Sequence, residues 1–264
     1  MSTTAFCKLP HPVSVVVIDV GNTSTSIGHW DGERVTAITP VKGGIADLTA
    51  AGEALEKAGA RTADAAILAS VVPASNEKWA WILRQLYGKT LEILDIRTMK
   101  LPIGIRYPNP LQIGADRLCD ATGAVARHGK PVAVADFGTA LTFDVVDQDG
   151  SYTGGIIAPG LPLMTGYLHE KTAQLPKVDL TGVLPAWGDS TENAMKLGAK
   201  LGHRGMVREI ISFIREQNQA ETFFCATGGY AAWALEGIEE CSIEPDLTLF
   251  GLGVIWNTNH PDGK

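Results

Sequence analysis

The sequence predicts a two-lobed α/β protein made by duplication, with one half over residues 13–128, the other over residues 129–258 and a cleft between them. Three observations carry this. An apolar run ending in Asp-x-Gly occurs twice, as Val15-Val16-Val17-Ile18-Asp19-Val20-Gly21 and as Val132-Ala133-Val134-Ala135-Asp136-Phe137-Gly138. In both copies a second strand pattern follows at once, then an Asp-Gly hairpin signal (Asp31-Gly32, Asp149-Gly150) and a third strand. The chain's 264 residues are long for one domain and suit two packed ones. Two copies are too few for a solenoid and suit a bilobal enzyme.

The elements follow in order. Val13–Asp19 is β-branched and almost continuously apolar, the mark of a buried central strand. Asn22–Trp30 has no helical periodicity, so a second strand follows the glycine turn, where a Rossmann or P-loop unit would place a helix. Arg34–Ile38 resumes the strand pattern, and Ile45–Ala60 is helical, with Leu48, Ala51, Leu55 and Ala58 on one face. Ala65–Val72 is a buried strand stopped by Pro73, Asn76–Tyr87 an amphipathic helix and Leu91–Ile96 a short strand. Leu101–Ile113 reads as loop, with three prolines, and Ala115–Arg127 as helix. In the second half, Tyr152–Ala158 is the third strand of the repeat, and Leu161–Leu175 and Ser190–Asn218 are helices. Thr222–Ala226 is a strand running into Thr227-Gly228-Gly229, Ala231–Gly237 is helical, and Asp246–Trp256 closes the half.

Composition narrows the partners. Hydrophobic residues make up 45% and charged residues 19%, ample for a core. The net charge of −7 gives no global attraction to nucleic acid or to an anionic membrane surface, so neither is expected as a partner. Any phosphate must be held locally, by backbone N–H groups, a metal or a few placed cations. Cys7, Cys119, Cys225 and Cys241 show no metal-ligand spacing and read as reduced thiols of a cytoplasmic protein. Residues 1–12 read as a floppy leader without a signal-peptide run, and no apolar stretch approaches the ~20 residues that span a bilayer. The six histidines form no HxH or HxxxH pair, and neither a GxSxG elbow nor a Walker lysine is present.

Chemistry concentrates at the glycine turns. Glycine lets backbone approach a phosphate, the Thr and Asn that follow add donors, and an Asp at a strand end suits Mg²⁺ held through water. A lone Asp-x-Gly is ordinary turn chemistry; two copies after matched strands favour phosphate binding. Thr227-Gly228-Gly229 is either a tight strand-to-helix turn or, in a bilobal nucleotide binder, a turn near adenosine. Gly114-Ala115-Asp116-Arg117 starts a helix. Asp116 there fits two readings: dipole complementation, worth ~0.3–1 kcal/mol, or a carboxylate facing a substrate hydroxyl beside a guanidinium that holds an anion.

The ordered set Asp19-Val20-Gly21-Asn22-Thr23, Tyr107–Arg117, Asp136-Phe137-Gly138-Thr139-Ala140, Gly154–Gly160, Thr172–Pro176, Thr227-Gly228-Gly229 and Asp246–Leu252 resembles the type III pantothenate kinases across residues 15–256. The resemblance is thinnest between Gly28 and Leu101. It implies the actin-like ATPase fold, two ribonuclease H-like halves around a nucleotide cleft. It also implies transfer of the γ-phosphoryl of ATP to the primary hydroxyl of pantothenate, the first step towards coenzyme A. Mg²⁺, a monovalent cation (K⁺ or NH₄⁺) and a homodimer with the substrate site at its interface come with it. By that resemblance Asp116 is the catalytic base, and Asp19, Val20, Gly21, Asn22, Thr23, Ser24, Thr25 and Ser26 cradle phosphates. Asp19 also holds Mg²⁺ through water, Asp136 the monovalent cation, and Thr139 touches ATP. Tyr107, Gly114, Ala115, Asp116 and Arg117 face pantothenate, as does Thr191, from the partner subunit. The rivals are a kinase of the same fold acting on another small alcohol, and a non-catalytic nucleotide-binding regulator.

Overall fold

The computed structural model describes residues 9–42, 47–180, 184–218, 221–239 and 241–263. Most of the expected leader, and residues 45 and 46 of the first expected helix, lie outside them. By contact the chain divides into two units. The first takes the residues up to Val132, residues 145–154 and those from Asp246 on; the second takes Ala133–Asp144 and Gly155–Pro245.

The first unit is built on a five-stranded sheet. Its elements are β1 (Val15–Val20), β2 (Ser24–Trp30), β3 (Val35–Lys42), α1 (Leu48–Lys57), β4 (Ala65–Ser70), α2 (Pro73–Tyr87) and β5 (Leu91–Ile93), and the strand order is β3-β2-β1-β4-β5. β1 lies antiparallel to β2, with Asp19 opposite Ser26, and parallel to β4, with Asp19 beside Ala69. Alternate residues of a strand point to opposite faces, and both faces of β1 are covered. Val16, Ile18 and Val20 join a cluster with Leu55, Trp79 and Leu83 from the helices, while Val15 and Val17 pack with Leu252, Ile255 and Trp256. That double burial is why the run reads as continuously apolar.

Some boundaries move for local reasons. α1 opens on Asp47, whose carboxylate accepts from the Ala50 N–H at 2.9 Å. α2 begins at Pro73, three residues before the expected Asn76, because a first-turn proline forfeits no helical hydrogen bond. β5 stops at Ile93, short of the expected Ile96; Asp95 turns the chain by accepting from the Arg97 N–H at 2.9 Å. The expected loop 101–113 holds the short β6 (Gly104–Ile105) and a 3-10 turn at Pro110–Gln112, and α3 (Ala115–His128) follows.

The second sheet gathers β7 (Val132–Phe137), β8 (Ala140–Val146), β9 (Ser151–Pro159), β10 (Phe223–Thr227) and β11 (Ser242–Ile243), in the order β11-β10-β7-β8-β9-β6. The repeated strand-turn-strand-turn-strand is therefore present twice, as β1-β2-β3 and β7-β8-β9. The two-residue β11 has no counterpart in the sequence reading. The helices are α4 (Leu161–Lys171), α5 (Thr191–Asn218) and α6 (Ala231–Ala234). α4 ends four residues before the expected Leu175. Thr172 is extended, its hydroxyl donates back to the Leu168 carbonyl at 2.8 Å, and it accepts from the Leu175 N–H at 3.3 Å. α6 stops before the expected Gly237, which takes φ +74°.

α7 (Leu247–Asn259) packs in the first unit, whereas the sequence reading counts it with residues 129–258. It is buried nearly all round, from Gly251 to Asn257, as a helix enclosed by its own unit must be. Polar ties fix it in place. Arg127 grips Asp246 with two hydrogen bonds of 2.8 and 2.6 Å and lies 4.1 Å from the Phe250 ring centroid. The buried Trp30 indole donates to Asn257 Oδ1 at 2.8 Å, and Asn257 Nδ2 donates to the Gly32 carbonyl at 2.9 Å. Asn257→Ala leaves that indole N–H without its acceptor and is expected to lower stability by about 1–3 kcal/mol. Urea unfolding monitored by tryptophan fluorescence checks this; an unchanged midpoint would show that the indole finds another acceptor at no cost.

Candidate active site

The first unit brings Asp19, Gly114, Asp116 and Arg117 into one neighbourhood. Asp19 sits half-buried near the end of β1. The turn after it closes with the Gly21 N–H donating to the Ser24 carbonyl at 3.0 Å, which leaves Asn22, Thr23 and Ser24 exposed. Val20 and Thr25, by contrast, are buried side chains of the strands flanking the turn. Of the expected cradle, those two offer only backbone, while Asn22, Thr23 and Ser24 offer side chains to solvent and Ser26 is half-buried.

α3 starts at Ala115 after Gly114, and no side chain caps its N-terminus. Asp116 lies in the first turn, and its Oδ1 accepts from the Arg117 N–H at 2.8 Å. The carboxylate folds back towards Gly114, where a Cβ would overlap it. Burial pushes the Asp116 carboxyl above its ordinary value; the Arg117 N–H and the Arg117 charge oppose that shift without cancelling it. A half-buried carboxylate of raised proton affinity is a better base than a solvated one.

Two further acids share this neighbourhood. The buried Cys119 thiol is pushed well up by burial and then by the charges of Asp19, Asp120 and Asp116. Asp120, one turn after Asp116, is buried and accepts from the Thr248 hydroxyl at 2.7 Å. Sequence reasoning passed it over. Its signal was the i, i+4 spacing to Asp116, which places both acids on one helix face.

Tyr107 and Arg117 meet through a residue the sequence reading did not select. The Tyr152 ring stands edge-to-face with Tyr107 at 6.1 Å, and the Arg117 guanidinium lies 6.0 Å from the same ring's centroid. The loop carrying Tyr107 is tied down on both sides of β6. The Gly104 N–H donates to the Gly150 carbonyl at 3.0 Å, the Arg106 N–H to the Tyr152 carbonyl at 2.8 Å, and the Arg106 guanidinium pairs with Asp147.

In the second unit Asp136, half-buried at the end of β7, lies beside the matching turn, where the Gly138 N–H donates to the Ala140 carbonyl at 3.1 Å. Gly228 packs onto this turn at φ +93°, a conformation that favours glycine, and a Cβ there would strike both Asp136 and the Phe137 backbone. The Tyr230 N–H donates to the Phe137 carbonyl at 3.1 Å. Thr139 is half-buried, and Gly160 lies against its carbonyl and that of Gly138. Thr191 is also in this unit, at the first residue of α5. It lines an apolar groove of about 760 Å³ with Leu163, Met164, Tyr167 and Leu168 of α4 and Met195 of α5. Among the described residues no cluster of three or more His, Cys, Asp or Glu side chains could share a metal ion, and no helix is long and apolar enough to cross a membrane.

The chain is similar to known proteins over nearly its whole length. A family model described as type III pantothenate kinase matches residues 15–212. A type III pantothenate kinase from Akkermansia muciniphila is 39% identical over 251 residues, covering 94% of this chain and all of the relative. One from Dehalococcoides mccartyi is 34% identical over 254 residues, 93% of this chain and 98% of the relative. Among solved structures, a Campylobacter jejuni chain described as of the Baf transcriptional activator family superposes with TM-score 0.60 at 16% identity, covering 92% of this chain and 98% of that one. Component A of Acidaminococcus fermentans (R)-2-hydroxyglutaryl-CoA dehydratase gives 0.54 at 16% identity, covering 96% and 100%. At such identities the superpositions speak for the fold alone, which is that of the actin-like ATPases.

Gly114→Ala tests whether the Asp116 carboxylate is held. The backbone at 114 suits any residue, so the added methyl displaces only the carboxylate. The Asp116 carboxyl is expected to fall back towards its ordinary pKa, read by NMR titration, with the thermal midpoint little changed. An unaltered Asp116 titration would show that Gly114 does not govern it.

Proposed function

The chain belongs to the type III pantothenate kinase family, and from that premise we propose that Asp116 is the base that takes the hydroxyl proton of pantothenate during phosphorylation by ATP. The reaction moves the γ-phosphoryl of ATP to the primary hydroxyl of pantothenate, giving 4′-phosphopantothenate and ADP, the first step of coenzyme A biosynthesis. The attacking oxygen forms its bond to the γ-phosphorus, the bond from that phosphorus to the ADP oxygen breaks, and the hydroxyl proton passes to an Asp116 carboxylate oxygen. The observation that carries this role is the half-buried Asp116 carboxylate, folded over Gly114 and raised in proton affinity. Phosphoryl transfer has a loose transition state, so orienting the hydroxyl matters more than strong basicity.

The remaining residues divide the binding. Arg117, placed over the Tyr152 ring that Tyr107 meets edge-to-face, suits the pantothenate carboxylate. The exposed Asn22, Thr23 and Ser24 and the Gly21 backbone face the phosphates. Thr139 and the Thr227–Gly229 turn serve the rest of ATP. Asp19, half-buried beside that exposed turn, suits a hydrated Mg²⁺, which takes one or two carboxylates together with substrate phosphates. Asp136, next to the Gly138 turn, suits K⁺ or NH₄⁺. Bound there, the cations offset phosphate charge. The buried, reduced thiols of Cys119, Cys225 and Cys241 accord with a cytoplasmic setting.

A homodimer is supported by the apolar groove between α4 and α5, whose Leu163, Tyr167 and Leu168 are 47%, 63% and 43% exposed. Thr191 lines that groove, so dimerisation delivers it to the partner's pantothenate.

Asp116→Asn is expected to lower turnover by ~10²-fold or more while nucleotide affinity stays near wild type. Because the base must be ionised, wild-type activity falls as pH drops through the Asp116 pKa, which burial raises above the ordinary aspartate value; the variant loses that limb. Near-wild-type turnover in the variant would remove Asp116 from the role. For stability the sign reverses. A raised folded pKa costs stability once pH exceeds it, so Asp116→Asn is expected to melt no lower than wild type at neutral pH. Separately, Tyr167→Asp is expected to yield monomers in sedimentation with a raised KM for pantothenate. A variant that stays dimeric would place the interface elsewhere.

A further inference from the structure

α5 carries a buried lysine and a buried histidine one turn apart, Lys200 and His203, each about 1% exposed. Residues three apart share a helix face. Lys200 Nζ donates to the Trp233 carbonyl, pairs with Glu236 at 3.0 Å and stands 4.1 Å from the centroid of the Trp233 ring. His203 packs its ring on Phe137, with centroids 5.6 Å apart. Burial, and then the Lys200 charge, lower the His203 pKa to about 4, so it packs as a neutral ring.

These contacts converge on two turns. Phe137 is the middle residue of Asp136-Phe137-Gly138, and Trp233 lies in α6, the four-residue helix that continues Thr227-Gly228-Gly229-Tyr230. The turns are themselves joined by the Tyr230 N–H on the Phe137 carbonyl and by Gly228 against Asp136. A helix of four residues cannot hold its own shape in water, and its last carbonyls need donors. Lys200 supplies one from a rigid 28-residue helix. A methionine or leucine would fill the same space without removing a charge from water, so the ammonium is there for what it grips.

We infer that Lys200 is a positioning residue for ATP: through Trp233 and Glu236 it holds α6, and with it the Gly228–Gly229 turn, at the place the nucleotide requires. His203 backs the neighbouring Asp136–Gly138 turn from the same helix face. The inference rests on the reading of these two turns as part of the ATP site, and the test separates the two claims.

The variant is Lys200→Met in the full-length protein, which keeps the volume and leaves Glu236, 74% exposed, in solvent. ADP affinity by calorimetry, KM for ATP, KM for pantothenate and kcat are measured together. The inference predicts ADP affinity and KM for ATP weakened roughly 10-fold, with KM for pantothenate and kcat at saturating ATP little changed. A lower melting temperature with unchanged nucleotide affinity would overturn it, since a merely structural lysine gives that result. Gly229→Ala is the control for the underlying reading. A Cβ at 229 meets nothing within 4 Å, so the fold is unaffected and only a nucleotide passing there would be obstructed. If Gly229→Ala weakens ADP and Lys200→Met does not, the Lys200 inference alone fails. If Gly229→Ala leaves ADP affinity intact, the turn does not serve ATP and both fall. Should Lys200→Met not fold, Glu236→Ala loosens the same grip from the surface. It is expected to raise KM for ATP in the same direction but less, and no change would overturn the inference.

Discussion

Asp19, Asp116 and Asp120 all bring negative charge to bear on the buried Cys119 thiol. Like charges gathered in partly dry surroundings repel, and each also loses hydration. The architecture of the first unit answers that constraint. β1, buried on both faces, fixes Asp19 from the strand side. α3 presents Asp116 at its N-terminus, where the helix dipole favours negative charge. α7 supplies the Thr248 hydroxyl to Asp120 and is pinned by Arg127 on Asp246. A site of this sign cannot hold a polyphosphate by its fixed charges alone, which is why the proposed cations belong to the account. It also explains how a chain of net charge −7 handles ATP: neutralisation is local.

The two sheets repeat one motif, and the repeats diverge in what surrounds the turn. After β1 the turn residues Asn22, Thr23 and Ser24 are open to solvent. After β7 the turn is enclosed by Gly228 and Gly160. In the proposed reading the exposed turn serves the phosphates and the covered turn the remainder of the nucleotide.

Much of this was legible in the sequence because it depended on local rules. The paired Asp-x-Gly strands, the absence of a helix after the first turn and the helix opening at Ala115 follow from periodicity and turn chemistry. Four things did not follow. α7 is apolar all round, so its pattern does not say which unit it enters; only the Arg127, Asp120 and Trp30 contacts decide that. The early end of α4 depends on one hydroxyl, that of Thr172, bonding backwards. Tyr152 joins Tyr107 to Arg117 although it lies 45 residues from the one and 35 from the other, and no spacing rule reaches so far. The same holds for Lys200, whose burial depends on Trp233 and Glu236, more than thirty residues along the chain.

The central claim is that these residues serve phosphorylation of pantothenate. The most direct measurement follows ADP release by the purified full-length protein with ATP and Mg²⁺, against pantothenate and a panel of other small primary alcohols, with and without K⁺. The account predicts ADP release that requires pantothenate, is stimulated by K⁺ and is absent with the other alcohols. ADP release with a different alcohol but not with pantothenate, or tight ATP binding without turnover on any acceptor, would contradict it.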